Sequence, residues 1–196
     1  MKLYLGSSVP RLLLVVSATL VSFTVAHKPN TSLSSFNRKL EHIEANGQRA
    51  HPDPTPTVFT EQEVNAYLAS NDVDLPEGVE SLKLEGHPQT VTGRARVDFD
   101  RIRAGMGYSN PLLTIFSGVH DVLVATHAYG VGGQGHVHVD SVSLDGVEIP
   151  RFVLEMFVEK YLHPKYPEIG MDSTFPLTDR IDKATLGEHS LTLTQK

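Results

Sequence analysis

The chain has 196 residues, 40% hydrophobic and 20% charged, with no cysteine and a formal net charge of −6. That composition fits one ordinary globular unit plus a targeting segment. The acidic balance argues against nucleic acid as a partner, because phosphate binding needs a basic stripe, and the lack of cysteine rules out a disulfide framework or a thiolate zinc site.

Residues 1–26 read as an export signal. Lys2 and Arg11 precede an apolar run from Leu12 to Ala26, and Thr24-Val25-Ala26 presents small side chains to a peptidase. Cleavage after Ala26 would deliver the remainder to the periplasm or the exterior. An uncleaved membrane anchor is the minority reading. The run is diluted by Ser17, Thr19, Ser22 and Thr24, and it falls short of the roughly 20 apolar residues that span a bilayer.

Residues 27–57 predict a helix and a linker. Leu33, Phe36, Leu40 and Ile43 recur at helical spacing and Gly47 ends the segment. The alternating prolines of 51–57 then favour extended chain, since each disfavours helix in the residue before it. The main domain is expected over 58–196. It opens with Thr60-Glu61-Gln62-Glu63, a capping-box sequence with Phe59 and Val64 at the staple positions. The helix it starts should reach about Ala69 and turn Val64, Tyr67 and Leu68 inward.

Beyond it the period becomes two. Leu82 and Leu84 alternate with polar residues, as do Val91, Gly93, Ala95, Val97 and Phe99, which predicts two antiparallel strands joined through Gly86-His87-Pro88. Gly105 and Gly107 interrupt the pattern, and Pro111 to Phe116 reads as a short helix or flap. Strands follow over 119–129 and 136–144. The alternation slips at Asp140-Ser141, as one extra residue in a bulge would make it slip. Asp145-Gly146 is a tight turn into 147–149. Pro150 opens a helix whose broad apolar face holds Val153, Leu154, Phe157, Val158, Tyr161 and Leu162, stopped by Pro164 and Pro167. A final hairpin turns at Gly187-Glu188. The fold class is therefore α+β, a curved antiparallel sheet packed on two or three helices behind the signal segment.

Gly130 to Gly135 has the spacing of a dinucleotide-binding glycine motif, but a strand follows where that chemistry needs a helix N-terminus. A hairpin loop is the better reading. If that hairpin is symmetric about Gly132-Gly133, His127 lies opposite His138 and Tyr129 opposite His136. The sheet would then gather His127, His136 and His138 on one face, a workable zinc set, with a solvated sheet surface as the plainer alternative. No glycine-flanked serine supports nucleophilic catalysis, and Glu155 with Glu159 reads as a solvated helix surface. No catalytic residue and no cofactor is assigned.

Three stretches carry a family resemblance. They are Val58 to Leu68, Val142 to Pro150 running into a helix, and Phe175-Pro176-Leu177 followed by Arg180 to Ala184. Their order resembles exported bacterial lipid-binding domains of the tubular, TULIP-like and LmeA-like kind. That resemblance implies a long curved sheet, an apolar groove and no catalytic set. The expected function is non-enzymatic binding of a lipid or other apolar molecule in the cell envelope, with possible membrane-surface contact. Val97, Phe99, Val137, Val139, Leu154, Phe157 and Val158 are the expected lining. The alternatives are a His-based zinc enzyme and a structural or interaction domain whose core is simply filled.

Overall fold

The structure, a computed structural model, describes residues 31–104, 117–163, 167 and 169–196. The expected export signal, the apolar run at 111–116 and the expected stop at Pro164 lie outside the described residues. Among the described residues, nine antiparallel strands form one open sheet, and four helical segments accompany it.

Helix α1 (Thr31–Gly47) leads to strand β1 (Thr57–Thr60) and helix α2 (Glu61–Leu68). The hairpin β2 (Val79–His87) and β3 (Thr90–Asp98) is followed by the short helix α3 (Phe99–Ala104). The long hairpin β4 (Val119–Val131) and β5 (Gln134–Leu144) turns into β6 (Val147–Glu148). Helix α4 (Arg151–Phe157) continues as one π-helical turn through Leu162. Strand β7 (Asp172–Pro176) and the hairpin β8 (Ile181–Gly187) and β9 (Ser190–Gln195) complete the sheet.

Strand β4 is the hub. One edge pairs with β3 along Val119–His127 and, beyond the β2–β3 turn, with β8 at Gly130 opposite Ala184. The other edge pairs with β5, whose far side carries β6 and β7. The expected pairing of His127 with His138 and of Tyr129 with His136 is observed. It is fixed by a two-residue turn in which Gly132 and Gly133 take φ of 61° and 77°, the geometry that matches the twist of a hairpin. The expected bulge is present as well. Ala125 faces Ser141 and Thr126 faces Val139, so Asp140 is the extra residue.

At the hub, the chain approaches itself too closely for a side chain. A Cβ on Gly130 would lie 2.7 Å from the Ala184 Cβ and 2.9 Å from its amide nitrogen. Gly130→Val is expected to force β8 off β4 and to cost about 1–3 kcal/mol, the usual range for overpacking. A thermal melt checks this, and an unchanged midpoint would show that the contact yields freely.

Sequence periodicity carried Phe99 into the strand. In the structure β3 ends at Asp98, whose carboxylate accepts from the amides of Asp100 and Arg101 and so opens α3. The two short strands β1 and β7 give no alternation signal and are new. The helix α1, which the proline-rich stretch sets apart in sequence, packs into the same core as the sheet. Ile43 is 2% exposed, and the Phe36 ring lies 5.0 Å from Phe59 and stacks at 4.3 Å on Tyr67. Beneath these rings Lys39 meets Glu63 at 2.7 Å, and Asn46 donates to Gln195 at 2.8 Å.

Helix α2 lies along the outer edge of β2. The Asn65 side chain donates to the Leu84 carbonyl at 2.7 Å and accepts from its amide at 2.8 Å, and Glu61 accepts from the Gly86 amide at 3.1 Å. These side chains occupy the ladder positions a further strand would take, which keeps an edge from recruiting another chain.

Candidate apolar binding site

Alternation along β4 and β5 decides what each sheet face presents. Val122, Val124 and Ala128 pair with Leu144, Val142 and Val137 on one face, with Thr126 opposite Val139. Leu123, Ala125, His127 and Tyr129 pair with Ser143, Ser141, His138 and His136 on the other. The first face is almost entirely apolar and the second is mixed and wet, as a half-covered antiparallel sheet requires.

Helix α4 closes one end of the apolar face. Phe99, Val122, Val142, Leu144, Ile149, Val153, Leu154 and Phe157 surround a cavity of about 120 Å³. Every wall residue is apolar, and apolar cavities of about 150 Å³ stay dry and accept small hydrocarbons. The helix is lightly held, for none of the residues Arg151–Phe157 is buried. Its outward side carries Phe152 and Met156, 65% and 43% exposed, four residues apart and hence on one stripe.

Of the expected lining, Phe99, Leu154 and Phe157 meet in this cavity. Val97, buried on β3, and the half-buried Val137 and Val139 share the sheet face but stand away from the cavity wall. Val158, in the π-helical turn, also lies outside it. Val153 was placed on the apolar face of its helix but not in the expected lining, and Ile149 was not singled out, whereas Val122, Val142 and Leu144 follow from the alternation once the bulge at Asp140 is placed.

His120 stands beside the cavity, its ring 5.8 Å from Phe99 in an edge contact. Its Nδ1 lies 2.6 Å from an Asp145 carboxylate oxygen and its Nε2 lies 3.0 Å from the Ser117 carbonyl. The hydrogen bond that the ring donates to Asp145, and then the one it donates to the Ser117 carbonyl, raise the imidazole pKa above its ordinary value. The same bond to His120 lowers the Asp145 carboxyl. The pair ties the start of β4 to the Asp145-Gly146 turn. Sequence spacing gave no hint of it, because 25 residues separate the partners.

The three histidines proposed for zinc do share the wet face, yet their shortest hydrogen bonds go to different neighbours, with Asp140 also 3.9 Å from His138 Nε2. His127 Nδ1 lies 2.7 Å from Asp140, His138 bonds Asp172, and His136 bonds the Thr174 hydroxyl at 3.2 Å with its ring stacked on Tyr129. Among the described residues no three His, Asp or Glu side chains are placed to hold a metal ion. The glycine-rich stretch is a hairpin turn followed by a strand. Glu155 and Glu159 are engaged by Arg151 and His163 on the helix surface at 2.9 and 2.8 Å.

Among the described residues no helix is long and apolar enough to cross a membrane. The chain matches no protein-family model, no curated protein and no solved structure.

Proposed function

We propose that this protein binds a lipid or another apolar molecule without transforming it, and that the acyl chain of such a ligand enters between the β4–β5 face and α4. The carrying observation is the cavity walled by eight apolar side chains and closed by a helix that buries none of its own residues. Binding sites are by default concave and mostly apolar. A volume near 120 Å³ admits the end of a chain, and outward movement of α4 would admit the rest. Phe152 and Met156 supply an apolar stripe with which the helix can meet a membrane surface, where such side chains lie at the headgroup boundary. The resemblance to tubular lipid-binding domains points the same way.

Mass spectrometry of organic extracts from the purified protein should find bound lipid, and a fluorescent fatty acid should bind saturably. Leu154→Gln places an amide in the dry wall, where an unpaired polar group costs about 1–3 kcal/mol. It is expected to weaken uptake roughly tenfold. A protein that repeatedly emerges free of lipid and takes up no fatty acid has a filled core rather than a binding site, and the proposal fails.

A further inference from the structure

A second cleft, larger than the cavity under α4, lies on the opposite, wet face of the sheet. It has a volume of about 740 Å³ and runs from the end of α2 across β2, β3 and β4 to β5. One cross-strand row forms its floor, because Lys83 pairs with Arg94, Arg94 with Leu123, and Leu123 with Ser143. Leu68, Val73 and Leu75 supply an apolar wall.

The charges in this cleft are not balanced by the protein. Three cations line it, Lys83, Arg94 and Arg96, against two acids, Glu80 and Asp121. Both acids are taken by Arg96, at 3.2 Å to Glu80 and 3.9 Å to Asp121. Neither Lys83 nor Arg94 has an ion-pair partner among the described residues. They stand directly opposite each other on neighbouring strands, where side chains are about 5 Å apart and like charges destabilise the pairing. Glu85 lies one pair along the same face and Glu61 borders the adjoining groove. Glu61, however, is held by the His189 ring at 2.7 Å and by the Gly86 amide, and Glu85 makes its one ion-pair contact among the described residues with His87, at 3.7 Å, and none with either cation. In a chain of net charge −6, an unneutralised cation pair beside an apolar wall stands out.

We propose that this cleft binds an anionic amphiphile. Its carboxylate or phosphate head would bridge Lys83 and Arg94, and its short apolar tail would lie against Leu68, Val73, Leu75 and Leu123. An Arg fork accepts such oxygens in bidentate fashion, and the neighbouring ammonium adds a point charge. The site is distinct from the cavity under α4, since Leu123 and Ser143 point to the opposite face from Val142 and Leu144, although Val122 borders both. A free metabolite and a lipid headgroup share the recognised chemistry.

Amide chemical-shift mapping separates the possibilities. Octyl phosphate should shift the amides around 68–75, 83, 94 and 123 saturably, inorganic phosphate should bind the same residues at least tenfold more weakly, and octanol should leave them unmoved. Vesicles carrying an anionic phospholipid, added in place of octyl phosphate, tell a headgroup from a soluble ligand. Broadening of the same residues assigns the site to a membrane lipid, and unchanged signals assign it to a free amphiphile. Lys83→Glu supplies the decisive variant, because the new carboxylate pairs with Arg94. It should keep or raise the melting temperature while binding falls at least tenfold. Equal affinity for octanol, equal affinity for inorganic phosphate, or unchanged binding in Lys83→Glu each overturns the proposal. Shifts confined to Val142, Leu144 and α4 would also overturn it and leave the apolar-cavity reading standing.

Discussion

Asn46→Leu is expected to destabilise the protein by roughly 3–5 kcal/mol, a large share of the 5–15 kcal/mol that holds a typical domain together. Asn46 is 1% exposed and Gln195 is 4% exposed. The Asn46 amide nitrogen donates to the Gln195 side-chain oxygen at 2.8 Å and to the Asp53 carbonyl at 2.9 Å, while its oxygen accepts from the Asp53 amide at 2.8 Å. Gln195 in turn donates to the carbonyls of Ile43 and Asp179 at 2.8 and 2.6 Å. One amide pair therefore fastens α1, the proline-rich stretch, the turn before β8 and strand β9 to one another. Leucine has the branched shape of asparagine and leaves no void, but it strips partners from the buried Gln195 side chain and from the Asp53 amide and carbonyl. Each such group costs about 1–3 kcal/mol. Urea denaturation of the variant measures the loss, and a double-mutant cycle with Gln195→Ala should give a coupling of more than about 1 kcal/mol. A change below 1 kcal/mol would mean that water enters and replaces the lost bonds.

The second large effect is acid sensitivity through Glu63. This carboxylate is the N3 member of the capping box, accepting from the Thr60 amide at 2.7 Å while its own amide donates to the Thr60 hydroxyl at 3.2 Å. Both of its oxygens also accept from Lys39, at 2.7 Å each. Burial pushes the carboxyl up. Hydrogen bonds from Lys39, Ser35 and the Thr60 amide, together with the Lys39 charge, outweigh it and bring the group from 4.5 to about 2. A carboxyl depressed on folding stabilises the native state above its unfolded pKa and ceases to do so as pH falls through the folded value. The contribution is thus complete above about pH 4.5 and disappears toward pH 2, and a difference of that size corresponds to roughly 3 kcal/mol. Glu63→Gln retains a cap acceptor but removes the charge facing Lys39, so it should lose about 2–3 kcal/mol at neutral pH. The difference between wild type and variant should shrink steadily below pH 4.5. Asp53, Glu61 and Asp145 are lowered too, and subtracting the two pH profiles cancels their shared slope. Parallel profiles would assign the acid sensitivity to those other groups.

What the sequence made legible is what depends on neighbours at fixed spacing. The capping box at Thr60, the hairpin register through Gly132-Gly133, the bulge at Asp140 and the turn at Asp145-Gly146 are all set within a few residues, and all are found in the structure. Strands β1 and β7 escaped because each is too short to show alternation and is defined by a distant partner, Thr57 opposite Leu193 and Gly135 opposite Phe175. Phe99 continued the period of two by coincidence, since a helix that follows a strand directly keeps the next apolar residue near the same core.

For the cavity, the apolar face was legible but its occupied end was not. Val137 and Val139 obey the pattern as well as Val142 and Leu144 do, and only the placement of α4 selects the latter pair. The Lys83–Arg94 opposition needed a register between strands that alternation alone does not supply. Asn46 and Gln195 were not singled out in the sequence because nothing local marks a polar side chain for the interior.

The amide pair at Asn46 and Gln195 joins positions 149 residues apart, and β1 likewise finds its ladder only in β9. A polypeptide grows from its amino end, so α1 and β1 leave the ribosome well before their seat has been made. In that interval β1 has no ladder partner and Asn46 no Gln195, and the hairpins β2–β3 and β4–β5 can form without them. The molecule thus closes like a clasp whose catch is manufactured late, and any factor that keeps early segments from premature association would act on α1 and β1.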